Sequence, residues 1–179
     1  MTSILAYEEL IGSCALQLSK GGVFLMTGLA EKNPMTIGWC QWGRIWNIPI
    51  CTVLVRPSRY SHRLIERDGL FTVSVPGEGA MKKELGYCGT HSGRDVNKLI
   101  ECNLATIPAQ AGGIDALLGC SIHFECRVLF KLEMAGNLPL LAGEQRAQFY
   151  TAEEQAGGDG DPHTVYYGRI LAAYKEPEA

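Results

Sequence analysis

A chain of 179 residues, 46% hydrophobic and 20% charged, is long enough to bury a core without disulfide staples. Its net charge of −3 lacks the basic footprint of a nucleic-acid binder. No apolar run approaches the roughly 18 residues a membrane-spanning helix needs, and MTSILAYEEL lacks the basic-then-apolar order of a secretory leader, so a cytoplasmic protein is expected.

In chain order, Tyr7–Leu18 repeats apolar residues at helical intervals and stops at Lys20-Gly21-Gly22, predicting an N-terminal helix within residues 1–21. GVFLMTGLA reads as a strand, and after a turn at 31–34, MTIGWCQWGRIW reads as its partner. ICTVLVR follows a second proline turn as a buried strand. RPSRYSHRLIERDG is a basic turn and helix, and LFTVSVP is another strand. Residues 78–103 hold two short helical patterns broken by GTHSGR. LATIPA, GCSIHFECRVLFKLEM and HTVYYGRILAAY read as strands. Residues 135–163 read largely as loop, and 175–179 as a frayed tail. No repeat or linker divides the chain, so one domain over 1–179 is expected. Strand follows strand without regular helical crossovers, which predicts a mainly β, antiparallel barrel with inserted short helices.

Four stretches could carry chemistry. In the basic turn, Arg56 and Arg59 precede the helix while Glu66 and Asp68 end it, the reverse of what the helix dipole favours. Ser58 can cap that helix, with the hydroxyls of Tyr60 and Ser61 nearby. The segment suits a phosphate, and equally suits a capped surface helix with solvated arginines. GTHSGRDVNK lacks P-loop spacing but offers Thr90, Ser92, Arg94 and Lys98 as donors, and reads otherwise as an ordinary loop with Asp95 starting the next helix. In NPMTIGW, alternation sets Met35, Ile37 and Trp39 against Thr36, Gly38 and Cys40, a small face along which a flat ring could bond the backbone, or which merely packs. GDGDPHTVYYG places His163 just before a strand. The seven scattered cysteines show no CxxC pair and no zinc spacing, so buried free thiols are expected and no metal site, with Cys40 and Cys51 as small core residues.

Taken together, NPMTIGW, PICTVLVRPSRYSHRLIERDGLFTVSVP, GTHSGRDVNKL and HTVYYGRI, in this order, resemble the flavin reductase-like, FMN-binding split-barrel family, most closely its flavoredoxin-like branch. The resemblance runs from about Gly22 to Tyr174. It implies a six-stranded antiparallel split barrel of Greek-key type, forming a homodimer with FMN near the interface. It implies that Met35, Thr36, Ile37, Gly38 and Trp39 meet the ring edge through backbone groups. Arg56, Ser58, Arg59, Tyr60 and Ser61 would hold the phosphate and ribityl end, and Gly89, Thr90, Ser92, Gly93 and Lys98 would close over the cofactor. Related reductases carry Gly-Asp-His near the nicotinamide; here Asp161-Pro162-His163 interposes a proline, leaving His163 as the nicotinamide-side candidate. The resemblance implies an FMN-dependent oxidoreductase using NAD(P)H to reduce flavin or a small acceptor. The alternatives are a flavoredoxin-type electron carrier serving protein partners, and a non-catalytic ligand-binding barrel.

Overall fold

The computed structural model describes residues 7–155 and 160–176. The readings that fall on 1–6, 156–159 and 177–179, most of the expected tail among them, lie outside it.

Helix α1 (Ile11–Gly21) ends at Gly22, whose φ of +83° and N–H bond to Leu18 O terminate it. Strands β1 (Val23–Thr27), β2 (Asn33–Ile37), β3 (Cys40–Ile45) and β4 (Ile48–Val55) lead to helix α2 (Tyr60–Asp68) and strand β5 (Leu70–Pro76). Helices α3 (Lys82–Thr90) and α4 (Lys98–Glu101) and the two-residue strands β6 (Thr106–Ile107) and β7 (Ala116–Leu117) follow. Long strands β8 (Cys120–Glu133) and β9 (Thr164–Lys175) bracket helices α5 (Gly143–Phe149) and α6 (Ala152–Gln155).

Seven strands form one antiparallel sheet in the order β2-β1-β5-β8-β9-β4-β3. Its two edges, β2 and β3, are consecutive in the chain with only Gly38 and Trp39 between them. The three steps from Ile37 to Cys40 span at most about 11 Å, so the sheet must curl until its edges nearly meet. The result is a split barrel; counted as one broken strand, β2 and β3 give the six strands expected. The break also shifts the side-chain phase. Met35 and Ile37 reach the core before it, and Cys40 reaches the core after it, whereas simple alternation put Cys40 opposite Met35.

The barrel interior is filled by Leu25, Val53, Phe71, Val73, Phe124 and Tyr166, all essentially buried. Gly168 on β9 makes room for one of them, because a Cβ there would sit 2.5 Å from Phe71 Cζ. Outside the barrel, Phe24 and Met26 of β1 form a second apolar layer with Leu85 and Cys88 of α3. That packing sets α3 beside β2, where Thr36 Oγ1 donates to Leu85 O at 2.6 Å.

Lys175 belongs to β9 rather than to a tail, and 143–155, expected to be loop, contains α5 and α6. Asn97, not Asp95, caps α4, accepting from the N–H groups of Leu99 and Ile100. All seven cysteines are free thiols, and Cys40 and Cys51 are buried with their sulfurs 3.6 Å apart. Burial pushes both thiols well above their ordinary range, which disfavours thiolate chemistry.

Candidate functional site

Two adjoining pockets open where the barrel is split. The first, about 180 Å³, is lined by Met35, Thr36, Ile37, Gly38, Trp39, Leu54, Val55, Arg56, Arg59 and His163. The second, about 100 Å³, runs between the start of α2 and the α3–α4 loop and is lined by Asn33, Met35, Ser58, Arg59, Tyr60, Ser61, Cys88, His91, Ser92, Gly93, Arg94 and Lys98. Met35 and Arg59 belong to both, so the pockets form one bent groove.

The second pocket is built for an anion. Lys98 is only 3% exposed, and its Nζ donates to Cys88 O at 3.2 Å as its one hydrogen-bond partner among the described residues. An ammonium has three protons to place, so two donors remain beside the pocket. Burial, then the neighbouring positive charge of Arg59, pushes this lysine down from 10.5 to about 8, while Cys88 and Cys102 oppose the shift. The Arg59 side chain makes no hydrogen bond or ion pair among the described residues. Arg59 is also the N-cap residue of α2, and no side chain caps that helix, so its first-turn N–H groups add positive potential. Gly93 keeps the wall thin: a Cβ there would lie 2.1 Å from Asn33 Oδ1 and 2.9 Å from Tyr60. Asn33 Nδ2 in turn donates to the buried Ser61 Oγ at 2.8 Å.

Arg56 has a different task from the one its sequence position suggests. Its Nη1 donates to Glu154 Oε1 at 2.8 Å and to Asp161 O at 2.7 Å, and its Nη2 donates to Phe149 O at 3.0 Å. Nor does Ser58 cap α2. Its N–H donates to Asp161 Oδ1 at 2.8 Å, and its hydroxyl bonds Asp161 Oδ2. Two carboxylates of the chain itself, Glu154 and Asp161, therefore answer the charge of the RPS turn. Together these bonds draw the segment carrying α5 and α6 against the mouth of the first pocket.

That segment backs the aromatic side of the pocket, which Trp39 and His163 line. Trp39 meets Phe149 edge-on at 5.0 Å between ring centres and His163 at 4.6 Å. Tyr150 Oη lies 3.1 Å from His163 Nδ1. Burial first, then Arg56, pushes His163 down to about 4, so its imidazole is neutral at pH 7.

Of the residues singled out from sequence, Met35–Trp39, Arg56, Arg59 and His163 line the first pocket, and Ser58, Tyr60, Ser61, Ser92, Gly93 and Lys98 line the second. Gly89 and Thr90 line neither. They lie in α3, where Gly89 packs against Thr36 and Thr90 Oγ1 donates to Gly86 O at 2.9 Å. The structure adds Asn33 and His91, which lie within the quoted motifs NPMTIGW and GTHSGR but were not singled out, and Phe149 and Tyr150, which carry no sequence signal. Among the described residues no three or more His, Cys, Asp or Glu side chains converge as a metal site, and no helix is long and apolar enough to cross a membrane.

Comparison with known proteins bears on the fold and the family. The chain is similar to a crystal structure of flavoredoxin from Methanosarcina acetivorans, with 25% identity, a TM-score of 0.63, and coverage of 87% of this chain and 68% of that one. Flavoredoxin of Desulfovibrio vulgaris (18% identity, TM-score 0.65, 88% and 70% covered) and an NADH:FAD oxidoreductase of Streptomyces globisporus (18%, 0.63, 88% and 76%) share the fold. A curated protein of Archaeoglobus fulgidus, itself uncharacterized, is 28% identical over 142 residues, covering 79% of this chain and 77% of its own. The family model for the flavin reductase like domain matches residues 18–179, and the chain belongs to that family.

Proposed function

We propose that this protein is an FMN-dependent oxidoreductase that takes electrons from NAD(P)H and delivers them to flavin or another small acceptor. The observation that carries the flavin assignment is the pair Lys98 and Arg59. Neither has an acidic partner among the described residues; with Arg94, whose Nη1 donates to Ser58 O, they flank one pocket at a helix N-terminus, and a phosphate monoester suits that positive charge. The residues present therefore fit FMN. Lys98, Arg59 and the hydroxyls of Tyr60, Ser61 and Ser92 would hold its phosphate and ribityl chain. The backbone of Thr36–Gly38 would meet the polar edge of its ring, beside Trp39 and His163. Bound there, FMN would supply hydride and single-electron chemistry that no side chain provides.

Neither pocket alone reaches the roughly 300 Å³ typical of an enclosed small-molecule site. A second copy of the chain, completing the groove in a homodimer, would close it. The half-exposed cluster of Trp46 with Phe130 at 6.1 Å and Tyr167 at 6.3 Å offers that copy apolar surface.

A flavoredoxin-type carrier, exchanging electrons with protein partners, is the second reading. The placement of Asp161 favours it, because that carboxylate binds Ser58 and leaves His163 as the pocket residue of the Asp-Pro-His sequence. Anaerobic stopped-flow mixing of the FMN-loaded protein with NADH and with NADPH separates the two. Rapid loss of flavin absorbance is expected for the reductase; an unchanged spectrum with both nucleotides would overturn it in favour of the carrier.

A further inference from the structure

We propose that Tyr150 is a positioning residue: its phenol donates to His163 Nδ1, fixing the imidazole as the tautomer whose Nε2–H faces the first pocket as a hydrogen-bond donor. Tyr150 is 5% exposed, and His163 Nδ1 is the one partner of its hydroxyl among the described residues. Either the phenol donates to a bare Nδ1, or Nδ1–H donates to the phenol oxygen. In the second arrangement the phenol proton has no acceptor, and stranding a buried donor costs roughly 1–3 kcal/mol. In the first arrangement both groups are satisfied.

The surroundings reinforce this choice. The Arg56 guanidinium lies 5.6 Å from the Tyr150 ring centre, held there by Glu154, and Arg59 lines the same pocket. Burial, then Arg56, and more weakly Arg59 oppose a second proton on the imidazole, while Asp161 and Glu154 favour one; the balance keeps it neutral. Nε2 has no hydrogen-bond partner among the described residues. His163 packs on Trp39 and lines the first pocket, so its remaining N–H is available to a ligand there.

This assigns a chemical preference to the acceptor side of the site, and it rests on the reading of the groove as a flavin site only for which molecule arrives. A neutral donor beside an aromatic wall suits an uncharged ligand presenting a carbonyl or carboxamide oxygen. A residue 13 positions away, on the segment clamped by Arg56, thus sets the polarity of His163.

Nitrogen-15 NMR of histidine-labelled protein tests this without flavin or turnover, with His163→Gln assigning one of the four imidazoles. The expected wild-type spectrum has a protonated Nε2 and an unprotonated Nδ1 for His163, and Tyr150→Phe converts it to a mixture of tautomers. Benzamide binding to the FMN-loaded protein should weaken about tenfold in Tyr150→Phe. A wild-type His163 protonated at Nδ1 would overturn the proposal even if the variant failed to fold, and so would a Tyr150→Phe protein with an unaltered tautomer. Failure of the apoprotein to bind FMN would instead remove the flavin reading and leave the tautomer assignment standing.

Discussion

Arg56 Nη1 lies 2.8 Å from Glu154 Oε1, joining the end of β4 to α6 across 98 residues of sequence. Their side chains are 27% and 6% exposed, so Arg56→Ala would leave a nearly buried carboxylate short of its cation. A loss of about 1–3 kcal/mol is expected, less than for a fully buried pair. Because this arginine ties down the segment bearing Phe149 and Tyr150, its removal should weaken FMN and riboflavin by similar factors. Binding titrations with both flavins check this; a loss confined to FMN would return Arg56 to the phosphate role its sequence position suggests.

Glu154 also makes the clamp dependent on pH. The Thr151 N–H first, then the Asp161 N–H and Arg56, hold its carboxyl below the ordinary 4.5. A depressed carboxylate contributes stability that is fully present above pH 4.5 and is lost as pH falls through its lowered folded value. Glu154→Gln should therefore destabilise the protein at pH 7, and the difference from wild type should shrink progressively below pH 4.5 in thermal melts.

Lys98 imposes a cost on the unliganded fold. The unfolded chain holds its proton more tightly, with 10.5 against about 8, so the charged lysine opposes folding below pH 8. That opposition fades between pH 8 and 10.5 and is on the order of 3 kcal/mol at most. Lys98→Met should stabilise the apoprotein at pH 7, with the advantage gone near pH 10.5. It should also weaken FMN roughly 10- to 100-fold, the loss expected for one charge-assisted bond. An apoprotein destabilised at pH 7 by the same substitution would contradict this.

A phosphate beside Lys98 would raise its affinity for a proton again. FMN binding near pH 9 is expected to take up a fraction of a proton, and binding at pH 6.5 to take up less through this group. Calorimetric titration in buffers of different ionisation enthalpy measures the uptake directly, and Lys98→Met should abolish the part that appears near pH 9.

Gly168→Ala tests the barrel interior. The added Cβ would meet the Phe71 ring at 2.5 Å, and overpacking of this kind costs about 1–3 kcal/mol. A lowered Tm is expected, with partial recovery on adding Phe71→Leu; an unchanged Tm would show that the ring has room to move.

The long strands were legible because β5, β8 and β9 combine β-branched and aromatic residues with clear turn signals. The break at Gly38-Trp39 was not, since a strand that continues and one that changes partners read alike over so few residues. Arg56 and Arg59 are indistinguishable in RPSRYSH, and only partners at Glu154 and Asp161, about a hundred residues away, separate a clamp from an anion-binding group. Lys98 could be named from its loop as a donor, but its burial depends on how α3 and α4 pack. Phe149 and Tyr150 were missed because α5 is short and is held by contacts with Arg56, Trp39 and His163 rather than by its own periodicity.

The central claim is that Lys98 and Arg59 receive a phosphate at the end of a flavin. Isothermal titration of the apoprotein with FMN and with riboflavin tests it most directly. FMN should bind one per chain and at least about tenfold more tightly, the margin of one charge-assisted bond. Equal affinities for the two flavins, or no binding of FMN, would contradict it.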